Sequence, residues 1–190
     1  MRHKRPAEVS IGIDVDSDVI GRWERFEERD CLLVCADAID WLRRQEFVGD
    51  ELIYCDPPYV PSTRRSERVY RHDYDISKHV ELLDVLRAVG CKVMLSGYSS
   101  ELYEDELSDW ASVSFRSKTH AGVRTETLWM NFEPPQRLHD YSCLGENFRQ
   151  RELIKRRLGR LKSRIDMLTA AERAHLAEWL ADQMQQPRAR

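Results

Sequence analysis

Long apolar runs are missing from this 190-residue chain. No stretch approaches the roughly 18 consecutive apolar residues that a membrane-crossing helix needs. The opening residues have no charged, apolar and small-residue order of a secretory signal. A soluble cytoplasmic protein is therefore expected. Cysteine is scarce and odd in number, as Cys31, Cys35, Cys55, Cys91 and Cys143, which argues against a disulfide framework. Cys31 and Cys35 stand four apart with no second Cys/His pair at zinc spacing, so no metal centre is expected. Strong charge of one sign is absent too. The net charge of −3 means that contact with nucleic acid must come from local basic segments. The length suits one domain with an appendage.

The stretch that organises the chain is Leu52-Ile53-Tyr54-Cys55-Asp56-Pro57-Pro58-Tyr59. Leu52 to Cys55 reads as a buried strand. Two prolines, which cannot donate to a sheet ladder, then force the chain out of the sheet. A carboxylate, a rigid turn and an aromatic ring are thus displayed at a strand's carboxyl end, where open α/β sheets bind ligands. These residue types suit chemistry at an exocyclic amine. Asp56 and the Pro57 carbonyl can accept its hydrogen bonds and localise a lone pair otherwise delocalised into the ring. Pro58 stiffens the turn, and Tyr59 can stack on a base swung out of a duplex. The same residues also read as a strand, a Pro-Pro turn and a packed tyrosine.

Further strands are expected at Val9–Asp14, Leu32–Cys35 and Lys92–Leu95, with helices from Ser17, over Ala38–Gln45, Ile76–Val89 and about Ser100–Leu107. Ser17 or Asp16 caps the first helix and Ser77 the third, which Gly90 ends. Ala111–Ser117 and Thr125–Phe132 alternate by two and form a hairpin around a Lys118–Arg124 loop. The pattern predicts an α/β sheet, mostly parallel, with a C-terminal antiparallel hairpin. It divides the chain into a domain over 1–139 and a helical basic tail over 140–190.

Asp-Pro-Pro-Tyr resembles motif IV of the amino-methyltransferases that use S-adenosylmethionine. The residues around it are similar to the Dam-like family of N6-adenine DNA methyltransferases. That resemblance implies a Rossmann-like sheet, S-adenosylmethionine as methyl donor and double-stranded DNA as substrate. It assigns Asp56, Pro57, Pro58 and Tyr59 to catalysis by direct methyl transfer. Ile11-Gly12-Ile13-Asp14 resembles the segment whose acid meets the donor's ribose, with Asp16 as the alternative or as a helix cap. Cys35-Ala36-Asp37-Ala38 resembles the segment whose acid and adjacent N–H meet the donor's adenine, which assigns Asp37 and Ala38 to donor binding. Each acid also reads as a helix N-cap. In series, strands ending in Asp14, Asp37 and Asp56 point to one site along one sheet edge.

DNA contacts are expected from the loop after Tyr59, above all Arg64, Arg65 and Tyr70, with Tyr74 near the extruded base. Arg124 is a further candidate, and Ser96 and Tyr98 line the base pocket by the same resemblance. The segment Arg149–Arg164 is amphipathic and basic, and suits either a DNA backbone or a partner. The likeness breaks at the start. The family's Gly-rich turn, which cradles the methionine part of the donor, has no counterpart, and no glycine precedes Gly12. A second chain supplying that motif is one expectation. Weak donor binding and slow or absent transfer by this chain alone is the other. The rival readings are an inactive DNA-binding remnant and a methyltransferase acting on RNA, cytosine N4 or protein.

Overall fold

The computed structural model describes residues 7–25, 31–64, 71–119, 122–135, 138 and 140–185. Residues 6–136 form one compact unit, and the C-terminal residues from 137 onward belong to another. In the first unit, β1 (Ile11–Asp14) leads through α1 (Ser17–Trp23) to β2 (Leu32–Cys35). The chain continues through α2 (Ala38–Arg43), β3 (Leu52–Cys55), α3 (Ile76–Ala88), β4 (Lys92–Gly97) and α4 (Glu101–Glu106). It closes with β5 (Ala111–Thr119) and β6 (Gly122–Met130). The fold is α/β.

The strands form two hydrogen-bonded sheets, where the sequence pattern suggested one. β1 pairs with β2 in parallel, Asp14 beside Cys35. The other sheet runs β3-β4-β6-β5. Its β3–β4 pair is parallel, and β4–β6 and β5–β6 are antiparallel. Among the described residues neither β1 nor β3 has a ladder partner on its second edge. Side chains alternate across a sheet, so Ile53, Cys55, Val93 and Leu95 share one face of this second sheet. Helices α2, α3 and α4 cover it, through Ile39, Leu42, Leu82, Leu83, Leu86, Tyr103 and Leu107. Each such fully buried side chain contributes about 2 kcal/mol. The opposite face is bare around β3, where Leu52 and Tyr54 are each 58% exposed.

Local differences from the expected elements have physical causes. Asp16 and Asp75 cap α1 and α3, accepting from the backbone N–H groups of Asp18 and Lys78. Ser77 sits inside the first turn of α3 and is not the cap. The buried side of α3 is His79, Leu82, Leu83, Val85 and Leu86, while Val80 faces solvent. Gly90 is not left-handed, because Val89 leaves the helix in an extended conformation. The hairpin is tighter than expected. Its strands run on to Thr119 and Gly122, whose φ of +118° only glycine adopts easily. Arg124 is therefore a strand residue opposite Ser117. Cys91 is buried, Cys35 and Cys143 are exposed, and all five cysteines are free.

The C-terminal unit contains α5 (Phe148–Asp166) and α6 (Ala170–Gln185). Asn147 caps α5 through the Gln150 N–H, and Thr169 with Glu172 makes a reciprocal capping box on α6. No described helix is long and apolar enough to cross a membrane.

Candidate active site

Strand β3 delivers Asp56 to its carboxyl end because the two prolines stop the ladder there. The Asp56 side chain is exposed and does not turn into the core. Its Oδ1 accepts a hydrogen bond from the Ser96 hydroxyl at 3.0 Å. Ser96 lies near the end of the neighbouring strand β4 and is 6% exposed. The Tyr54 hydroxyl reaches the Ser96 Oγ at 3.2 Å. Tyr54, Asp56 and Ser96 share one sheet face through the two-residue period and the β3–β4 register. A chain of hydrogen bonds from Tyr54 through Ser96 thereby fixes one carboxylate oxygen and leaves the other open to a ligand.

Pro57 and Pro58 are half-buried, and Val60 inserts into the core at 2% exposure, which anchors the turn. The Val60 carbonyl accepts from both the Thr63 N–H and the Thr63 hydroxyl. Tyr59 stacks on Tyr98 with ring centroids 4.1 Å apart and planes 24° from parallel. Burial raises the Tyr59 hydroxyl pKa, and the nearby charge of Glu126 adds to the rise, so this phenol stays protonated. The Arg124 guanidinium lies 4.7 Å from the Tyr98 centroid and donates to the Thr63 carbonyl at 3.2 Å. A concavity of about 430 Å³ opens there, lined by Ser62, Thr63, Tyr98, Ser99, Ser100, Arg124 and Thr125. Volumes of that order accept a small ligand or a nucleotide-sized group.

Arg64 corrects an expectation. Its side chain is 3% exposed and pairs with Asp73, and its Nε donates to the Tyr59 carbonyl. A guanidinium desolvated in this way braces the main chain of the turn. Tyr74 is likewise a packing residue, half-buried and edge-on to His79 at 5.6 Å. Arg65 and Tyr70 lie outside the described residues. Arg71, from the same loop, pairs with Asp16 and Asp18 at the start of α1 and holds the Asp18 carboxyl below its usual range.

At β1 the Asp14 Oδ1 accepts from the Asp16 N–H at 2.8 Å, so the acid at the strand's end also shapes the turn into α1. Asp37 caps α2, its Oδ1 accepting from the N–H groups of Ile39 and Asp40, while Ala38 opens the helix. The Asp37 Oδ2 meets the Lys78 ammonium at 3.5 Å. Sequence reading missed Lys78. Its position in the first turn of α3 gave no sign that it spans Glu81 and Asp37. Burial raises the Tyr74 hydroxyl to about 12, and the charges of Asp37 and Asp14 are among the further causes. One region thus holds Asp56, Ser96, Tyr59 and Tyr98. The acids of β1 and β2 stand on the other sheet, where Asp37 meets Lys78 of α3. Among the described residues no cluster of His, Cys, Asp and Glu is arranged to hold a metal ion.

Residues 33–121 match the model of a family described as D12 class N6 adenine-specific DNA methyltransferase. Among solved structures, a Haemophilus influenzae protein described as a candidate methylase is similar at 12% identity. The match covers 67% of this chain and 68% of that one, with a TM-score of 0.39. No curated protein matches the chain.

Proposed function

We propose, on the premise that the chain belongs through residues 33–121 to the D12 class of N6 adenine-specific DNA methyltransferases, that Asp56 is its catalytic carboxylate. S-adenosylmethionine supplies this family's electrophilic methyl group. The observation that carries the assignment is the exposed Asp56 carboxylate, one oxygen fixed by Ser96 and the other open. The open oxygen accepts a hydrogen bond from the adenine amine, and the Pro57 carbonyl accepts a second. Together they draw the nitrogen lone pair out of conjugation and aim it. As the new N–C bond forms and the S–C bond breaks, the amine sheds a proton, which Asp56 takes and passes to water. Tyr59, backed by Tyr98, offers a flat apolar surface for the extruded base. Arg124 lines the concavity beside Tyr98, with a cation suited to a neighbouring phosphate.

The acids at β1 and β2 fit a donor with ribose hydroxyls and an adenine amine. Asp14 spends one oxygen on the Asp16 N–H and keeps the other. Asp37 spends one oxygen on the cap of α2, and its second is shared with Lys78. The methionine part has no glycine-rich cradle among the described residues. The outer edges of β1 and β3 both lack a ladder partner among the described residues. The β3 face bearing Leu52 and Tyr54 is uncovered as well.

Incubation with labelled donor and duplex DNA, followed by nucleoside mass analysis, tests the reading. N6-methyladenine is expected. Label on cytosine, RNA or protein instead would overturn the substrate assignment. No label on any polymer, with the donor bound, would overturn the catalytic role of Asp56.

A further inference from the structure

Charge is divided unevenly along the chain. Residues 6–136 carry 15 Lys and Arg against 26 Asp and Glu, a net of −11. Helix α5 carries eight cations against Glu152 and Asp166, a net of +6 in 19 residues. A catalytic unit with that excess of acid repels a polyanion, so the attraction has to come from elsewhere.

The arrangement on α5 is specific. Arg156, Arg160 and Arg164 recur every four residues and form one row, spaced about 6 Å along the axis. Beside the row lie Gly159 and Ser163, also four apart. A shallow trough of about 670 Å³ runs there, lined by Leu153, Arg156, Gly159, Arg160, Ser163 and Arg164. Gly159 is the informative member. Glycine inside a helix costs about 1 kcal/mol relative to alanine. Yet a Cβ at Gly159 would meet nothing within 4 Å, so packing within this chain does not require its small size. Among the described residues no ion pair holds any arginine of the row. The remaining reason for a bare strip beside three arginines is the close approach of something external and negative.

We propose that α5 is a DNA-binding helix that seats a phosphate backbone in this trough. This rests on DNA being the substrate of the catalytic unit, and it adds the surface that holds the duplex. A second copy of α5 is a poor occupant. The apolar seam Ile154, Leu158, Leu161 and Ile165 is flanked by Arg151, Arg157, Lys162 and Arg164, so two copies would set like charges against each other.

Binding of the full chain to a labelled duplex, read by fluorescence anisotropy between about 50 and 200 mM salt without donor, tests the proposal. Replacing Arg156, Arg160 and Arg164 together by Gln should reduce the slope of log K against log salt by about 2.7, or roughly 0.9 for each phosphate no longer neutralised. Gly159→Leu should weaken binding at least about tenfold with helix content by circular dichroism unchanged. An unchanged salt slope in the triple variant overturns the proposal, as does tighter binding of an acidic polypeptide than of DNA at equal charge. Because no donor is present, failure of methyl transfer would count against the catalytic reading and leave this result standing.

Discussion

Acidification should loosen the catalytic unit through His79, a residue of α3 that touches no substrate. His79 is 0% exposed, packed edge-on between Tyr74 and Tyr103, with Nδ1 3.0 Å from the Tyr103 hydroxyl. Its Nε2 has no hydrogen-bond partner among the described residues. Burial disfavours the charged imidazolium, and the Arg64 guanidinium adds to this, so the pKa falls from an ordinary 6.5 to about 4. A histidine lowered in the folded state leaves the unfolded chain binding more protons between those two values. Stability is therefore fully present above 6.5 and is lost as pH falls toward 4. At 1.36 kcal/mol per unit, the loss is about 2 kcal/mol at pH 5 and on the order of 3 kcal/mol once both states are protonated. That is a large share of the 5–15 kcal/mol typical of a domain (about 0.1 kcal/mol per residue). Urea midpoints by tryptophan fluorescence at several pH values, for the wild type and for His79→Gln, measure it. The wild type should lose about 2 kcal/mol more than the variant on going to pH 5. Parallel pH dependence in the two proteins, or a His79 titration by NMR near 6.5, would refute the reasoning.

Three further outcomes are expected. Asp56→Ala in a donor-competent assembly should lower turnover by at least about a thousandfold, or 4 kcal/mol, with DNA affinity within tenfold; joint loss of both would make the residue structural. Ser96→Ala removes the bond that orients Asp56 and should reduce kcat by about 1.5–3 kcal/mol, and full activity would show that Asp56 needs no such support. Arg64→Ala removes the ion pair with Asp73 and the bond to the Tyr59 carbonyl and should destabilise the unit by about 3 kcal/mol in urea unfolding; a loss under about 1 kcal/mol would show that this brace contributes little.

Strand β3, the Pro-Pro stop and the exposed Asp56 were legible in the residues alone, since a short β-rich run ended by two prolines leaves the chain few choices. Helices α2 to α4 were legible by periodicity, although Asp75 displaced Ser77 as the cap because only its carboxylate lies where the Lys78 N–H points. The family match over 33–121 takes in Asp37 and Asp56 but not Asp14. Long-range pairing was not legible. Nothing local says that Ser96, 40 positions away, donates to Asp56, or that Arg64 turns inward to Asp73 while Arg124 leaves its expected loop to lie against Tyr98. Nor does strand pattern reveal that β1–β2 and β3–β4–β6–β5 remain separate ladders. Sequence determined which polar and aromatic groups stand at the strand ends, because side-chain type and strand ends are local properties. Tertiary structure decided which of them are exposed and which are paired, because burial and hydrogen-bond partners depend on residues far along the chain.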